Sequence, residues 1–115
     1  MLIYNLKQLS DDEKLAIWDK AAIVIGYEPN KFRKDIAGAW IQYDKYGDIS
    51  NELGLGWEAD HKIPSARGGA DDLDNLRPLQ WKNNRSKGDN FPIWESSMTS
   101  SGNENIYKKR SWQIN

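Results

Sequence analysis

Gly56-Trp57-Glu58-Ala59-Asp60-His61-Lys62-Ile63-Pro64, then Gly68-Gly69, then Asn75-Leu76-Arg77-Pro78-Leu79, then Asn84-Arg85-Ser86-Lys87-Gly88, is the stretch from which the fold of this chain is read. It holds the only histidine in 115 residues, directly after an aspartate. Trp57 to His61 reads as a short strand, and Ile63-Pro64 ends it because proline cannot serve an interior ladder. Ser65 to Asp74 is a polar, glycine-rich loop. Leu76 to Leu79 is a second short strand, with Pro78 pointing to an edge position. Gln80 to Lys87 is a short helix closed by Gly88. The pattern predicts an α+β domain in which two strands pair antiparallel and the helix packs across them.

The residue types in this stretch suit one chemistry. Phosphodiester hydrolysis needs a base for water, neutralisation of the phosphate and stabilisation of the leaving 3′ oxygen. Histidine serves the first need at neutral pH. A divalent metal serves the other two as a Lewis acid. Asp60 and His61 alternate in facing along a regular strand, so one site can use both only where the strand bulges or ends. Pro64 and the glycine loop make a break there reasonable. His61 is then the candidate general base and Asp60 a candidate metal ligand. Asn84, on the helix, offers an amide oxygen as second ligand. Such a hard, open, oxygen-only site favours Mg²⁺, with Mn²⁺ next, over zinc. Asn75, where the loop rejoins the second strand, is placed to bond across the loop and hold His61 in orientation. Lys87, one turn after Asn84, is the candidate phosphate contact. Arg85, Arg77 and Lys82 are further cations for contacts to a nucleic-acid backbone. Taken singly, each of these is an ordinary capping, turn or surface residue. Their joint order and spacing carry the argument.

Charge is uneven along the chain. Net charge is −1, but residues 1–60 hold 7 Lys and Arg against 11 Asp and Glu, whereas residues 61–115 hold 9 against 6. No acid lies between Asn75 and Gly88. A local basic face attracts phosphate even when the whole chain is near neutral. Cysteine is absent, which excludes disulfides and thiolate-ligated zinc. Six Trp and five Tyr supply large buried areas for a small core. No apolar run approaches the length of a membrane span. Met1 to Lys7 lacks the basic start and apolar stretch of a signal peptide. The expected location is the cytoplasm.

Outside the stretch, Ser10-Asp11-Asp12-Glu13 fits a capping box that opens a helix over 10–25, with Leu15, Trp18, Ala22 and Ile25 as its apolar stripe and Gly26 as its stop. Glu28-Pro29-Asn30 is a turn, and residues 31–36 are expected as a short helix. Trp40 to Tyr43 reads as a strand. Phe91 to Trp94 returns to the core. Residues 96–105, rich in Ser, Thr and Asn, read as a flexible connector. Lys108-Lys109-Arg110 falls in a docked tail or a basic strand edge. The expected organisation is an N-terminal extension (1–55) packed on a nuclease core (56–90), followed by a C-terminal extension (91–115).

The joint pattern resembles the HNH endonuclease family, the ββα-metal nucleases. That pattern is an acid-His pair, Pro three residues on, Gly-Gly, Asn-Leu, and Asn-x-x-Lys-Gly. It is met here by Asp60-His61, Pro64, Gly68-Gly69, Asn75-Leu76 and Asn84-x-x-Lys87-Gly88. The resemblance covers residues 56–90. It implies a metal-dependent nuclease acting on DNA, with His61 as base, Asp60 and Asn84 as metal ligands and Asn75 as orienting residue. Two departures stand out. The paired cysteines that hold a structural zinc in many members are missing, and Trp81 occupies part of that region. The last metal position is Asn84 rather than a histidine, which supports Mg²⁺. The alternatives are a catalytically silent DNA-binding or interaction module on the same frame, and a toxin whose acidic immunity partner covers the basic face.

Overall fold

Ser10 opens helix α1 (Asp11–Trp18) with a complete capping box: its hydroxyl accepts from the Glu13 N–H, and the Glu13 carboxylate accepts from the Ser10 N–H. The computed structural model describes residues 2–3 and 5–115. The part of the N-terminal signal-peptide reading that rests on Met1 and Tyr4 lies outside the described residues.

The helix is shorter than its sequence stripe predicts. It ends at Trp18, because the Arg33 guanidinium takes the backbone carbonyls of Asp19 (3.0 Å) and Ala21 (3.3 Å) and so terminates it from outside. Ala22 then pairs with Lys34 in an isolated bridge. Ile25, expected on the buried stripe, is 98 % exposed. Residues 31–36 also differ from expectation. They hold a short strand, β1 (Phe32–Lys34), antiparallel to β2 (Trp40–Gln42). Arg33, the middle residue of β1, faces inward and so reaches the carbonyls of Asp19 and Ala21 just beyond α1.

Strand β3 (Trp57–His61) pairs antiparallel with β4 (Leu76–Gln80), with Asp60 opposite Arg77 and His61 opposite Leu76. Helix α2 (Trp81–Lys87) follows at once and packs against β3, β4 and β5 (Ile93–Ser101). Gln80 caps it: the side-chain oxygen accepts from the N–H groups of Lys82 and Asn83, while its amide donates to the carbonyls of Glu52 and Gly54. The main core lies between α1, β2, β3 and β4. Ile3, Ile17, Trp18, Ile41, Trp57 and Leu76 fill it. Trp18 meets Tyr43 edge-on at 5.4 Å and Trp57 at a tilt at 5.3 Å, and these large rings supply much of the buried area of so small a core.

The expected flexible connector at 96–105 is instead the turn end of a bulged hairpin, β5 with β6 (Glu104–Gln113), turning at Ser101–Glu104. Its polar residues are ordered because they are bonded internally. Asn105 exchanges hydrogen bonds with the Trp40 backbone, and Ser100 donates to the Gly38 carbonyl at 2.6 Å. The fold is α+β, one body of mixed helices and small antiparallel sheets with a radius of gyration of 13.2 Å. Among the described residues no helix is long and apolar enough to cross a membrane.

Candidate functional site

The loop after β3 is held closed by Asn75. Its Oδ1 accepts from the Ile63 N–H at 2.9 Å, and its Nδ2 donates to the carbonyls of Ile63 (2.9 Å) and Ala70 (3.0 Å). The paired glycines have separate causes. Gly68 has φ +87°, a conformation other residues rarely adopt, and a Cβ on Gly69 would sit 1.7 Å from the Ile63 carbonyl oxygen. Asn75 therefore touches the chain directly after His61 rather than the imidazole itself.

Asp60 is almost fully buried, at 3 % exposure, and points to the α2 side of β3. One carboxylate oxygen accepts from Arg77 Nε at 2.9 Å and the other faces Lys87 Nζ at 3.1 Å. Lys87 is also buried, and its ammonium donates to the His61 carbonyl at 2.8 Å. This cation, expected at a phosphate, is thus enclosed between the acid and the backbone of the adjacent histidine. Arg77 lies with its guanidinium 5.0 Å from the centroid of Trp94, and its Nη2 is buried without a hydrogen-bond partner among the described residues.

Asp60 and His61, at the end of β3, both line one groove. The groove has a volume of about 280 Å³, and its lining includes Asp60, His61, Pro64, Ser65, Asn84 and Arg85. His61 Nε2 is 2.6 Å from Asp71 Oδ1. Asp71 is itself anchored, because its carbonyl accepts from the Ile3 N–H at 2.7 Å.

Asn84 donates from Nδ2 to Glu58 at 3.1 Å, which leaves Oδ1 outside that bond. Glu58 also holds Arg85 through two contacts, at 3.1 and 2.9 Å, and this pairing raises the arginine pKa further above its ordinary value. Lys82 pairs with Glu52 at 3.3 Å. All four cations expected to meet a nucleic-acid backbone are therefore paired with internal carboxylates. Among the described residues no three His, Cys, Asp or Glu side chains gather into a metal cluster.

Three contributors escape a reading by sequence alone. Glu58 had a signal, since two residues before Asp60 it must share that face of β3. Asp71 had none, because its meeting with His61 depends on the path of a ten-residue loop. Asn83 looks interchangeable with Asn84 in the sequence, yet it is fully buried on the opposite side of α2. Its amide donates to Asp35 and to the Met98 carbonyl, and its oxygen accepts from the N–H groups of Ser97 and Met98, opposite the β6 bulge.

Residues 48–90 match the family model described as HNH endonuclease. The match spans Asp60, His61, Asn75, Asn84 and Lys87, and it bears out the resemblance drawn from the motif. No curated protein and no solved structure matches the chain.

Proposed function

We propose that this chain, with its HNH segment at residues 48–90, is a metal-dependent endonuclease that hydrolyses DNA phosphodiester bonds. The observation that carries this reading is the meeting of Asp60, His61 and Asn84 on one groove. His61 is the general base. An ionised carboxylate only accepts, so Nε2 donates to Asp71 and the lone pair stays on Nδ1. Nδ1 takes a proton from water as the oxygen attacks phosphorus, and the bond to the 3′ oxygen breaks. Asn75 acts one step back, because its bonds to Ile63 and Ala70 fix the loop that carries Asp71.

Asp60 and Asn84 would hold a divalent cation. The donor set fits a hard ion: one carboxylate, one amide oxygen, no thiol and no second imidazole. A carboxylate offers about four lone-pair sites, so Asp60 keeps acceptor capacity beyond Arg77 and Lys87. Mg²⁺ is the ion this set favours. When bound, such an ion supplies Lewis-acid stabilisation of the phosphate and the leaving oxygen. Arg77 and Lys87 fix the carboxylate from behind, and Lys87 ties it to the His61 backbone.

The pairing of both Asp60 oxygens favours the second reading, a catalytically silent DNA-binding module. Incubation of supercoiled plasmid, single-stranded DNA and RNA with Mg²⁺, Mn²⁺, Zn²⁺ or EDTA decides between them. The nuclease reading expects nicked and linear plasmid with Mg²⁺ or Mn²⁺ and none with EDTA. Intact plasmid with every ion leaves the silent module.

A further inference from the structure

The groove has a charge problem that the rest of the chain resolves. Arg77, Lys82, Arg85 and Lys87 all face internal carboxylates, so the motif presents little uncompensated positive charge to a polyanion. A run of cations lies elsewhere. Lys108, Lys109 and Arg110 are consecutive and exposed on β6, and among the described residues no ion pair holds them. The residues opposite them carry no acid: Arg110 pairs with Ser96, Tyr107 with Met98, and the two lysines bulge opposite Ser97. Strand β6 has β5 as its single partner, so its outer edge is open.

A charged edge also blocks strand-on-strand association, but charge of either sign does that. Three cations of one sign in a chain of net charge −1 do more, since they attract a polyanion. The run is also joined to the groove. Arg110 lies 4.9 Å from the Trp112 ring, Trp112 stacks on Trp94 at 6.0 Å, and Trp94 lies 5.0 Å from the Arg77 guanidinium that holds Asp60. Three short contacts separate the β6 guanidinium from the partner of the groove carboxylate. Lys108 and Lys109 form a bulge of β6 opposite Ser97, so the run sits where the strand departs from regular pairing.

We infer that β6 is the docking edge for the phosphate backbone of duplex DNA, with Lys108, Lys109 and Arg110 holding phosphates beyond the groove. The inference rests on the nuclease reading for the identity of the polyanion. It does not rest on cutting.

The test uses the full chain carrying His61→Ala, a fluorescent 30-base-pair duplex and a salt series. Lys108→Gln, Lys109→Gln and Arg110→Gln are combined in one variant. Lys7→Gln, Lys31→Gln and Lys45→Gln form a matched control from the other half of the chain. The hairpin variant should bind at least about 10-fold more weakly near 0.1 M salt. The slope of log affinity against log salt should shrink by up to about 2.7 for three phosphates lost, while the control keeps both values. Unchanged affinity and slope in the hairpin variant, equal losses in the two variants, or no duplex binding by the parent chain would each overturn the inference. Cutting by the otherwise wild-type chain, measured in parallel, separates the two ideas. An unchanged slope beside Mg²⁺-dependent cutting sinks the docking edge alone, and a reduced slope in a chain that never cuts sinks the nuclease alone.

Discussion

The two sides of α2 carry the same residue type at neighbouring positions and use it differently. Asn84 faces β3 and the groove, where it makes one bond to Glu58 and stands among titratable groups. Asn83 faces β5, fully buried, where its amide and oxygen are taken up by Asp35 and by the β5 backbone at Ser97 and Met98. One side of the helix borders the groove and leaves the Asn84 oxygen outside the bond to Glu58. The other joins three elements and bonds both ends of the Asn83 amide. An asparagine's role is thus set by what its face of the helix meets, which a single sequence does not reveal.

That contrast can be broken most sharply at Asn83. Asn83→Ala strands a buried carboxylate contact and two backbone N–H groups, each costing about 1–3 kcal/mol when left unmet. The expected loss is on the order of 3–5 kcal/mol, read from urea denaturation. A variant as stable as the wild type would remove Asn83 from its structural role.

Asp35 sharpens the same side. It is a buried carboxylate held by N–H donors from Ala37, Ala39, Gln80 and Asn83 rather than by a cation. Burial raises its pKa above the ordinary carboxylate range, opposed by those hydrogen bonds. The folded state therefore keeps this proton at pH values where the unfolded chain has released it. The contribution of the group to stability is fully present below the unfolded pKa and is lost as pH rises through the folded one. Measured by denaturation across the acidic range, the stability of wild type minus that of Asp35→Asn should fall as pH rises. A difference that grows with pH would show that the hydrogen bonds outweigh burial.

The smallest stability effect belongs to Asn84. Asn84→Ala gives up one partly buried bond, so stability should stay within about 1 kcal/mol of the wild type. Cleavage, by contrast, should drop on the order of 100-fold or more, as when one preorganised electrostatic contact is removed. A variant that cuts at full rate would take Asn84 out of the site.

Legibility in the sequence follows the same division. The order β3, loop, β4, α2 could be read because each step has a local cause: Pro64 ends a strand, Gly68 turns, Gly88 closes a helix. The overlong α1 came from an apolar stripe whose last members, Ala22 and Ile25, are exposed once Arg33 terminates the helix. The hairpin was hidden because Ser96 and Asn105 are polar residues made buriable by partners on other elements, Trp112 for Ser96 and the Trp40 backbone for Asn105. At the groove, the meeting of Asp60, His61 and Asn84 was legible from spacing. The pairing of His61 with Asp71 and the burial of Lys87 were not. A charged residue directly before a glycine reads as a surface residue until its carboxylate partner is known.

The central claim is that His61 is the base. Its direct test is plasmid nicking by His61→Ala in Mg²⁺, with folding checked by circular dichroism on the same sample. A folded variant slowed by about 10²–10⁴-fold is the predicted result for a lost general base. A folded variant that nicks at the wild-type rate would contradict it.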